Sequence, residues 1–318
     1  MGYRTLQVFF LLFTAIGLLL MSGCAPRTRI VAAHPVLEKK TTEVDPAKKL
    51  ENLPVEVLID KGRAYLEQEN LPLAQLHLVK ALTKSVDNIE LYQLLGDLFV
   101  KQNQLDKAKT AYAEGLKLSP GNPSTLLGLG KVYRSEGDCV EAGNYLQQAQ
   151  QLAPDNPEVL TEMAICQDTL AQSPQAEELY LRATELRPLN PSSFNNLGFH
   201  YLIQGAYPQA IDAFWTGARL KPEDRLIKNN LAAAYILNGD EVRGLSLFEN
   251  SIGAAGAYNN VGYIYMVQNR WQRAETAFVK AMELSPSYYV KAAKNLDYLK
   301  RISAYQDMNP SDKEGAGN

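Results

Sequence analysis

Residues 89–122 read IELYQLLGDLFVKQNQLDKAKTAYAEGLKLSPGN, and the order of small and large residues in this stretch decides the fold. Gly96 is followed 12 residues later by Ala108 and 16 residues later by Tyr112. The same triplet recurs seven times, with five spacings of 34 residues and a last one of 30. Its members are Gly62, Gly96, Gly130, Ala164, Gly198, Ala232 and Gly262, then Ala74, Ala108, Ala142, Ala176, Ala210, Gly244 and Ala274, then Leu78, Tyr112, Leu146, Tyr180, Phe214, Phe248 and Phe278.

Each triplet predicts a pair of antiparallel helices. Two helices approach closely only where the facing side chains are small, and a large residue beside them fills the remaining space. Proline cannot continue a helix, so we expect the second helix of five repeats to end near a proline. These prolines are Pro120, Pro154, Pro188, Pro222 and Pro286.

The second repeat resembles the tetratricopeptide repeat at Tyr92, Leu95, Gly96, Phe99, Ala108, Tyr112, Gly115 and Pro120. The resemblance implies an all-α fold, a right-handed α-solenoid of about seven helix pairs over residues 55–288. The repeats would run 55–88, 89–122, 123–156, 157–190, 191–224, 225–254 and 255–288. Residues 289–305 have one apolar face and predict a capping helix, and residues 306–318 predict a disordered tail.

The N-terminal segment has the pattern of a secretory signal. Arg4 is its one charged residue, and an apolar run from Leu6 to Leu20 leads to small residues before Cys24. The run has about 15 residues, fewer than the ~20 that a membrane-spanning helix needs, so we favour a cleaved signal over a permanent span. Residues 20–24 (LMSGC) resemble the bacterial lipoprotein cleavage box.

That resemblance implies a lipoprotein signal peptide over residues 1–23 and acyl chains, palmitate among them, on Cys24. Ala25 stands where aspartate would imply retention in the inner membrane, so we expect an outer-membrane anchor that faces the periplasm. Several acyl chains together anchor a protein stably. Residues 24–54 contain four prolines and no stable apolar period, which predicts a lipidated N-terminus followed by a flexible tether.

The charge balance and the motifs of the sequence indicate a binding protein rather than an enzyme. Lys and Arg number 32 against 35 Asp and Glu, which gives no positive field, and we expect no nucleic-acid partner. The three histidines and three cysteines lack metal-binding spacings, so we expect neither a metal site nor a cofactor, and no catalytic residue is proposed. Cys139 and Cys166 would meet an oxidising periplasm, but the repeat pattern does not fix whether they pair.

Asparagines recur in the last three repeats and predict a peptide-binding groove. By resemblance to the tetratricopeptide family, the first helices line the concave face. An amide both donates and accepts, so a row of amides could hold the backbone of an extended peptide, with aromatic contacts beside it. The alternative is that these amides only bond neighbouring helices. The predicted groove residues are Asn195, Asn196, Phe199, Asn229, Asn230, Asn259, Asn260 and Tyr263.

The combination of a lipoprotein signal, a short tether and strings such as NNLAAAY and YNNVGYIYMVQNRW resembles the tetratricopeptide lipoproteins of the tight-adherence (Flp) pilus system. This resemblance implies an outer-membrane scaffold that binds peptide segments of envelope proteins, such as a secretin or pilus components, and assists assembly of a pilus or secretion machine. Two alternatives stay open. One is a pilotin-like lipoprotein of a type IV pilus, and the other is an adaptor for an enzyme that processes peptidoglycan or other glycans.

Overall fold

The computed structural model describes residues 50–171 and 173–308, and every regular element within these ranges is helical. The predicted all-α fold of stacked helix pairs is confirmed. The chain divides into two compact units between Pro188 and Leu189. We call the described residues up to Pro188 the N-terminal unit and those from Leu189 the C-terminal unit.

The N-terminal unit contains four helix pairs among its described residues. Each first helix packs on its own second helix, and the first helices of successive pairs also touch. The helices are α1 (Val55–Glu67), α2 (Leu71–Leu82), α3 (Ile89–Lys101), α4 (Leu105–Leu118), α5 (Pro123–Ser135), α6 (Cys139–Leu152), α7 (Pro157–Thr169) and α8 (Ser173–Leu186).

The C-terminal unit contains three further pairs and a long last helix, which packs on both helices of the final pair. Its helices are α9 (Pro191–Ile203), α10 (Tyr207–Leu220), α11 (Arg225–Leu237), α12 (Glu241–Ile252), α13 (Ala254–Val267), α14 (Trp271–Leu284) and α15 (Pro286–Met308).

An N-cap residue recurs at the start of the first helix in repeats two to six. The residue before each helix is Asn or Asp, and its side-chain oxygen accepts a backbone N–H of the first turn, which would otherwise lack a partner. Proline at the first helical position of α5, α7 and α9 fits because that position needs no N–H donor. The capping residues are Asn88, Asn122, Asn156, Asn190 and Asp224.

In the five repeats whose first helix carries the small residue as glycine, the large residue of the triplet lies over that glycine. A Cβ added to Gly198 would lie 2.7 Å from the Phe214 ring, and one added to Gly262 would lie 2.7 Å from Phe278. Both rings are fully buried. The small residues therefore make room for the side chains that form the core.

The boundaries of three predicted segments differ from the helices observed. Leu50 is buried and residues 50–51 are helical, so the end of the predicted tether is packed on the folded body. Lys84 holds it there by donating to the carbonyl oxygens of Glu51 and Leu53, at 2.6 and 2.7 Å.

At the other end of the chain, Pro286 does not lie in a loop after the last helix pair. It starts α15, which begins before the predicted 289 and runs through residues 306–308. Proline is compatible with the first position of a helix, so the same residue ends α14 and begins α15. The signal segment, Cys24 and residues 309–318 lie outside the described residues.

Candidate functional site

Helices α9, α11 and α13 carry the asparagines of the predicted groove, two on each helix. The six amides differ in accessibility. Asn229, Asn230 and Asn259 are buried, with exposed fractions of 5%, 5% and 3%. The half-buried ones are Asn195, Asn196 and Asn260.

Several of these amides form hydrogen bonds between neighbouring helices. Asn230 on α11 donates from Nδ2 to Oδ1 of Asn195 on α9, at 2.8 Å. Asn295 on α15 donates to Oδ1 of Asn259 on α13, at 3.0 Å. These bonds correspond to the alternative interpretation of the asparagine row, in which the amides bond neighbouring helices. Asn195, Asn230 and Asn259 therefore hold repeats together.

The N-terminal unit uses an amide in the same way. Gln93 on α3 donates from Nε2 to Oγ1 of Thr125 on α5, at 2.9 Å, and to the capping oxygen of Asn122, at 2.7 Å. Gln93 is the fifth residue of its repeat, as Asn195 and Asn259 are of theirs. Sequence analysis did not identify Gln93 or Asn295. The sequence feature that could have identified Gln93 is an amide at the fifth position of the second repeat, which lies outside the asparagine row.

Five predicted groove residues remain partly accessible on the first helices, and four of them form two pairs. Asn196 and Phe199 lie three residues apart on α9, and Asn260 and Tyr263 do so on α13, so each pair shares one side of its helix. Phe199 packs in part against the core formed around Phe214, and Tyr263 packs against the core of the last pair. An amide and an aromatic ring thus stand together on each of two helices.

The phenol of Tyr263 stays neutral near pH 7. Burial raises the pKa of Tyr263 above its ordinary value, and the neighbouring Tyr298 on α15 adds to the shift. A neutral phenol both donates and accepts a hydrogen bond. Tyr263 thus offers both functions beside the Asn260 amide.

Asn229 is in a different situation. Its side-chain oxygen is buried and has no hydrogen-bond partner among the described residues. A buried acceptor without a partner loses the free energy of hydration without replacement. This oxygen is a local cost to stability within α11.

Ion pairs join the first helices of the N-terminal unit. Arg63 on α1 pairs with Glu90 on α3, and Lys131 Nζ on α5 lies 2.9 Å from Glu158 Oε2 on α7. The hydrogen bond from Lys131 holds the pKa of Glu158 below its ordinary value, although burial opposes the shift. The first helices of the N-terminal unit are therefore joined by ion pairs as well as by the Gln93 amide, whereas those of the C-terminal unit carry the asparagines.

An open cavity of about 440 Å³ lies on this charged surface. Arg63, Leu94 and Lys131 are among its lining residues. At its wall the Tyr112 hydroxyl donates to Asp97 Oδ1, at 2.5 Å. The pKa of Asp97 is raised, because desolvation by burial outweighs the hydrogen bond from Tyr112 and the nearby lysines, which lower it.

Metal ligands do not cluster in the part of the chain that the structure describes, where no group of three His, Cys, Asp or Glu side chains could hold an ion. His200 is buried in α9, with its ring 5.5 Å from the ring of Tyr201. None of the described helices combines the length and the apolar character needed to cross a membrane.

Comparison with known proteins identifies the repeat. Residues 94–157, 133–197 and 255–288 each match a tetratricopeptide-repeat model. The chain therefore contains tetratricopeptide repeats, and its fold is that of a protein-interaction scaffold. No curated protein matches the chain in sequence.

Three solved structures have the same fold. A tetratricopeptide repeat protein from Parabacteroides merdae is 21% identical with a TM-score of 0.56, over 77% of this chain and 98% of that one. PilF from Pseudomonas aeruginosa is 18% identical with a TM-score of 0.54, over 64% and 91%. PilW, described as a widely conserved type IV pilus biogenesis factor, is 14% identical with a TM-score of 0.57, over 62% and 91%. Identities this low show a shared fold alone.

Proposed function

We propose that this protein is an outer-membrane lipoprotein whose repeats bind segments of envelope proteins and assist assembly of a pilus or secretion machine of the tight-adherence type. The fold supports the scaffold role, and the cleavage box ending at Cys24 supports the lipid anchor. Support for a pilus role comes from the N-terminal and repeat motifs and from the fold shared with PilF and PilW.

The observation that carries the binding role is the pairing of Asn196 with Phe199 and of Asn260 with Tyr263 on the first helices of the C-terminal unit. These side chains are partly exposed, whereas the asparagines one position earlier in the last two repeats are buried. An amide recognises a backbone N–H or C=O without selecting a side chain, and an aromatic ring beside it adds apolar contact. We propose these four residues as the binding surface for an extended segment.

The test separates binding from folding. Asn196→Ala combined with Asn260→Ala should weaken retrieval of envelope proteins from solubilised membranes by about fivefold or more per lost bond, since each bond contributes about 1 kcal/mol. The helical circular dichroism and the melting midpoint should stay close to wild type. The matched control is Asn230→Ala, which leaves the Asn195 oxygen unpaired and should lower stability.

A folded double variant that retrieves every partner at wild-type yield would contradict the binding surface. A double variant that unfolds like Asn230→Ala would assign all the amides to the contacts between repeats. Neither result tests the proposed lipid anchor.

The anchor has its own experiment, with Cys24→Ser as the variant. The wild-type chain should incorporate labelled palmitate and sediment with outer membranes, and the variant should remain an unprocessed precursor without label. Processing, label and outer-membrane location that survive the substitution would contradict the lipoprotein assignment.

The alternatives predict other partners. A pilotin-like protein of a type IV pilus, favoured by the fold shared with PilF and PilW, should be needed for secretin multimers to reach the outer membrane. An adaptor for a glycan-processing enzyme should instead co-purify with that enzyme. A deletion strain with intact secretin multimers and no pilus would favour the tight-adherence assembly role over the pilotin.

A further inference from the structure

Two cysteines from neighbouring repeats meet inside the N-terminal unit. Cys139 is the first residue of α6, and Cys166 lies in α7, near its end. Both are buried, with exposed fractions of 4% and 3%, in one apolar cluster with Leu146 and Val159. They are free thiols, and their side chains hydrogen-bond to each other.

The two sulfurs have different surroundings. The Thr169 hydroxyl on α7, which donates to the carbonyl oxygen of Ile165 at 2.9 Å, lies near the Cys139 sulfur. Arg134 on α5 and Asp138 at the start of α6 lie close enough to act on the charge of Cys139. Cys166 lies near the same Arg134 and near Glu162 of its own helix. The residues on either side of Cys139 are exposed, although Cys139 itself is buried.

The pKa values of the two thiols shift in opposite directions. The bond from the Cys166 thiol, helped by Thr169, lowers the pKa of Cys139 to about 7, although burial opposes the shift. The same bond, together with burial, raises the pKa of Cys166. The thiolate is the reactive form of cysteine. Either thiol of the pair can supply the attacking thiolate, and the directions of the two shifts favour Cys139.

We propose that Cys139 and Cys166 form a disulfide that links α6 covalently to α7, by exchange with a small-molecule or protein disulfide. The Cys139 thiolate attacks one sulfur of the oxidant, forming a mixed disulfide and releasing one thiolate, which takes up a proton. Cys166 loses its proton and attacks the Cys139 sulfur, which releases the second thiol. The two cysteines are oxidised, and the external disulfide is reduced to two thiols.

The bond would connect the third repeat to the fourth. These repeats otherwise hold together through noncovalent contacts and the chain itself, and each repeat of such an array is stabilised by its neighbours. Closing the loop from residue 139 to residue 166 restricts the unfolded chain. The oxidised protein should therefore melt at a higher temperature than the reduced one.

The test uses the full chain, reduced and then exposed under native conditions to oxidised glutathione. After alkylation of remaining thiols, trypsin should release residues 135–182 as one peptide, because this segment has no internal Lys or Arg and contains both cysteines but not Cys24. We expect this peptide unalkylated and about 2 Da below its reduced mass, the loss of two hydrogens. The melting midpoint should rise with the extent of oxidation.

Single variants identify the two roles. Cys166→Ser should trap Cys139 as a mixed disulfide with glutathione, and Cys139→Ser should leave Cys166 largely unmodified. Circular dichroism checks that both variants are folded. The proposal would be overturned if the wild-type peptide still had both cysteines alkylated after exposure to oxidised glutathione, or if the disulfide formed only in denaturant. Both outcomes are independent of the variants. None of these measurements depends on the proposed scaffold function.

Discussion

Gly253 is the single residue between α12 and α13, and its backbone has φ of 82° and ψ of 161°. This region of conformational space is essentially restricted to glycine, because a Cβ would clash with the backbone. The sixth repeat is four residues shorter than the others. One glycine in this conformation therefore makes the connection that a longer turn makes elsewhere.

We expect Gly253→Ala to lower the free energy of unfolding by about 1–3 kcal/mol, the cost of such backbone strain. Gly143→Ala is the matched control. Gly143 lies inside α6 with nothing within 4 Å of an added Cβ, so alanine there should raise stability by about 0.5–1 kcal/mol. Urea denaturation of both variants measures the difference. Equal effects at the two sites would contradict the strained backbone at residue 253.

The Lys131–Glu158 pair makes a pH-dependent contribution. Because the pKa of Glu158 is lower in the folded state, the folded protein binds fewer protons than the unfolded chain at mildly acid pH. The contribution of the pair is complete above the ordinary pKa of about 4.5 and disappears as pH falls through the lower folded value. Both side chains are about 40% exposed, so solvent screens the interaction.

Lys131→Met should therefore cost less than about 1 kcal/mol near pH 7. The difference from wild type should shrink in high salt and should be smaller at pH 3 than at pH 7. Urea midpoints at both pH values and both salt concentrations provide the measurement. A deficit that grows as the pH falls would show that packing of the Lys131 stem, and not its charge, stabilises this contact.

At the scale of the helix pair, the contact between α11 and α12 reverses the usual order of small residues. Most repeats have glycine on the first helix and alanine on the second, whereas this pair has Ala232 and Gly244. A Cβ added to Gly244 would lie 2.7 Å from the carbonyl oxygen of Ala232 and 2.6 Å from Ile236. The Ala232 carbonyl oxygen and the Ile236 side chain therefore leave no room for a methyl group at residue 244.

Gly244→Ala should consequently destabilise the protein by about 1–3 kcal/mol, since a backbone oxygen cannot move aside as a side chain does. Adding Ala232→Gly keeps this oxygen but removes the methyl group on the first helix, which lets the two helices shift and should recover part of the loss. Thermal melts of the two single variants and the double variant form a double-mutant cycle. Additive losses in the double variant would contradict a steric contact between these positions.

At the scale of the whole molecule, each unit has its own buried core. Leu58, Leu78 and Leu98 belong to a cluster in the N-terminal unit, and Phe248 and Phe278 to one in the C-terminal unit. Stability in a repeat protein is a sum over repeats and their nearest neighbours. Each unit therefore contains interactions of the kind that suffice for folding.

We expect residues 50–188 and residues 189–318, produced separately, to be helical and to unfold cooperatively at lower temperatures than the full chain. Circular dichroism during heating measures both properties. An unfolded fragment at low temperature would show that its core depends on the other half of the chain. Such a result would contradict the independence of the two units.

The sequence determined the helix pairs, because small and large residues recur with the spacing that close helix packing requires. Gly198 and Phe214 could be matched from the sequence alone, since the contact lies within one repeat and follows from helical periodicity. The first helices also start where the periodic units do in the first six repeats. Local spacing sufficed for all of these features.

The tertiary structure decided which amides are accessible. Asn230 and Asn260 are both the sixth residue of their repeats, but burial and the contacts between repeats leave the first inside and the second partly exposed. It also brought Cys139 to Cys166, a contact that depends on how one repeat stacks on the next. Accessibility and contacts between repeats depend on the angle and distance between helices, which packing of the whole core sets and which no single repeat encodes.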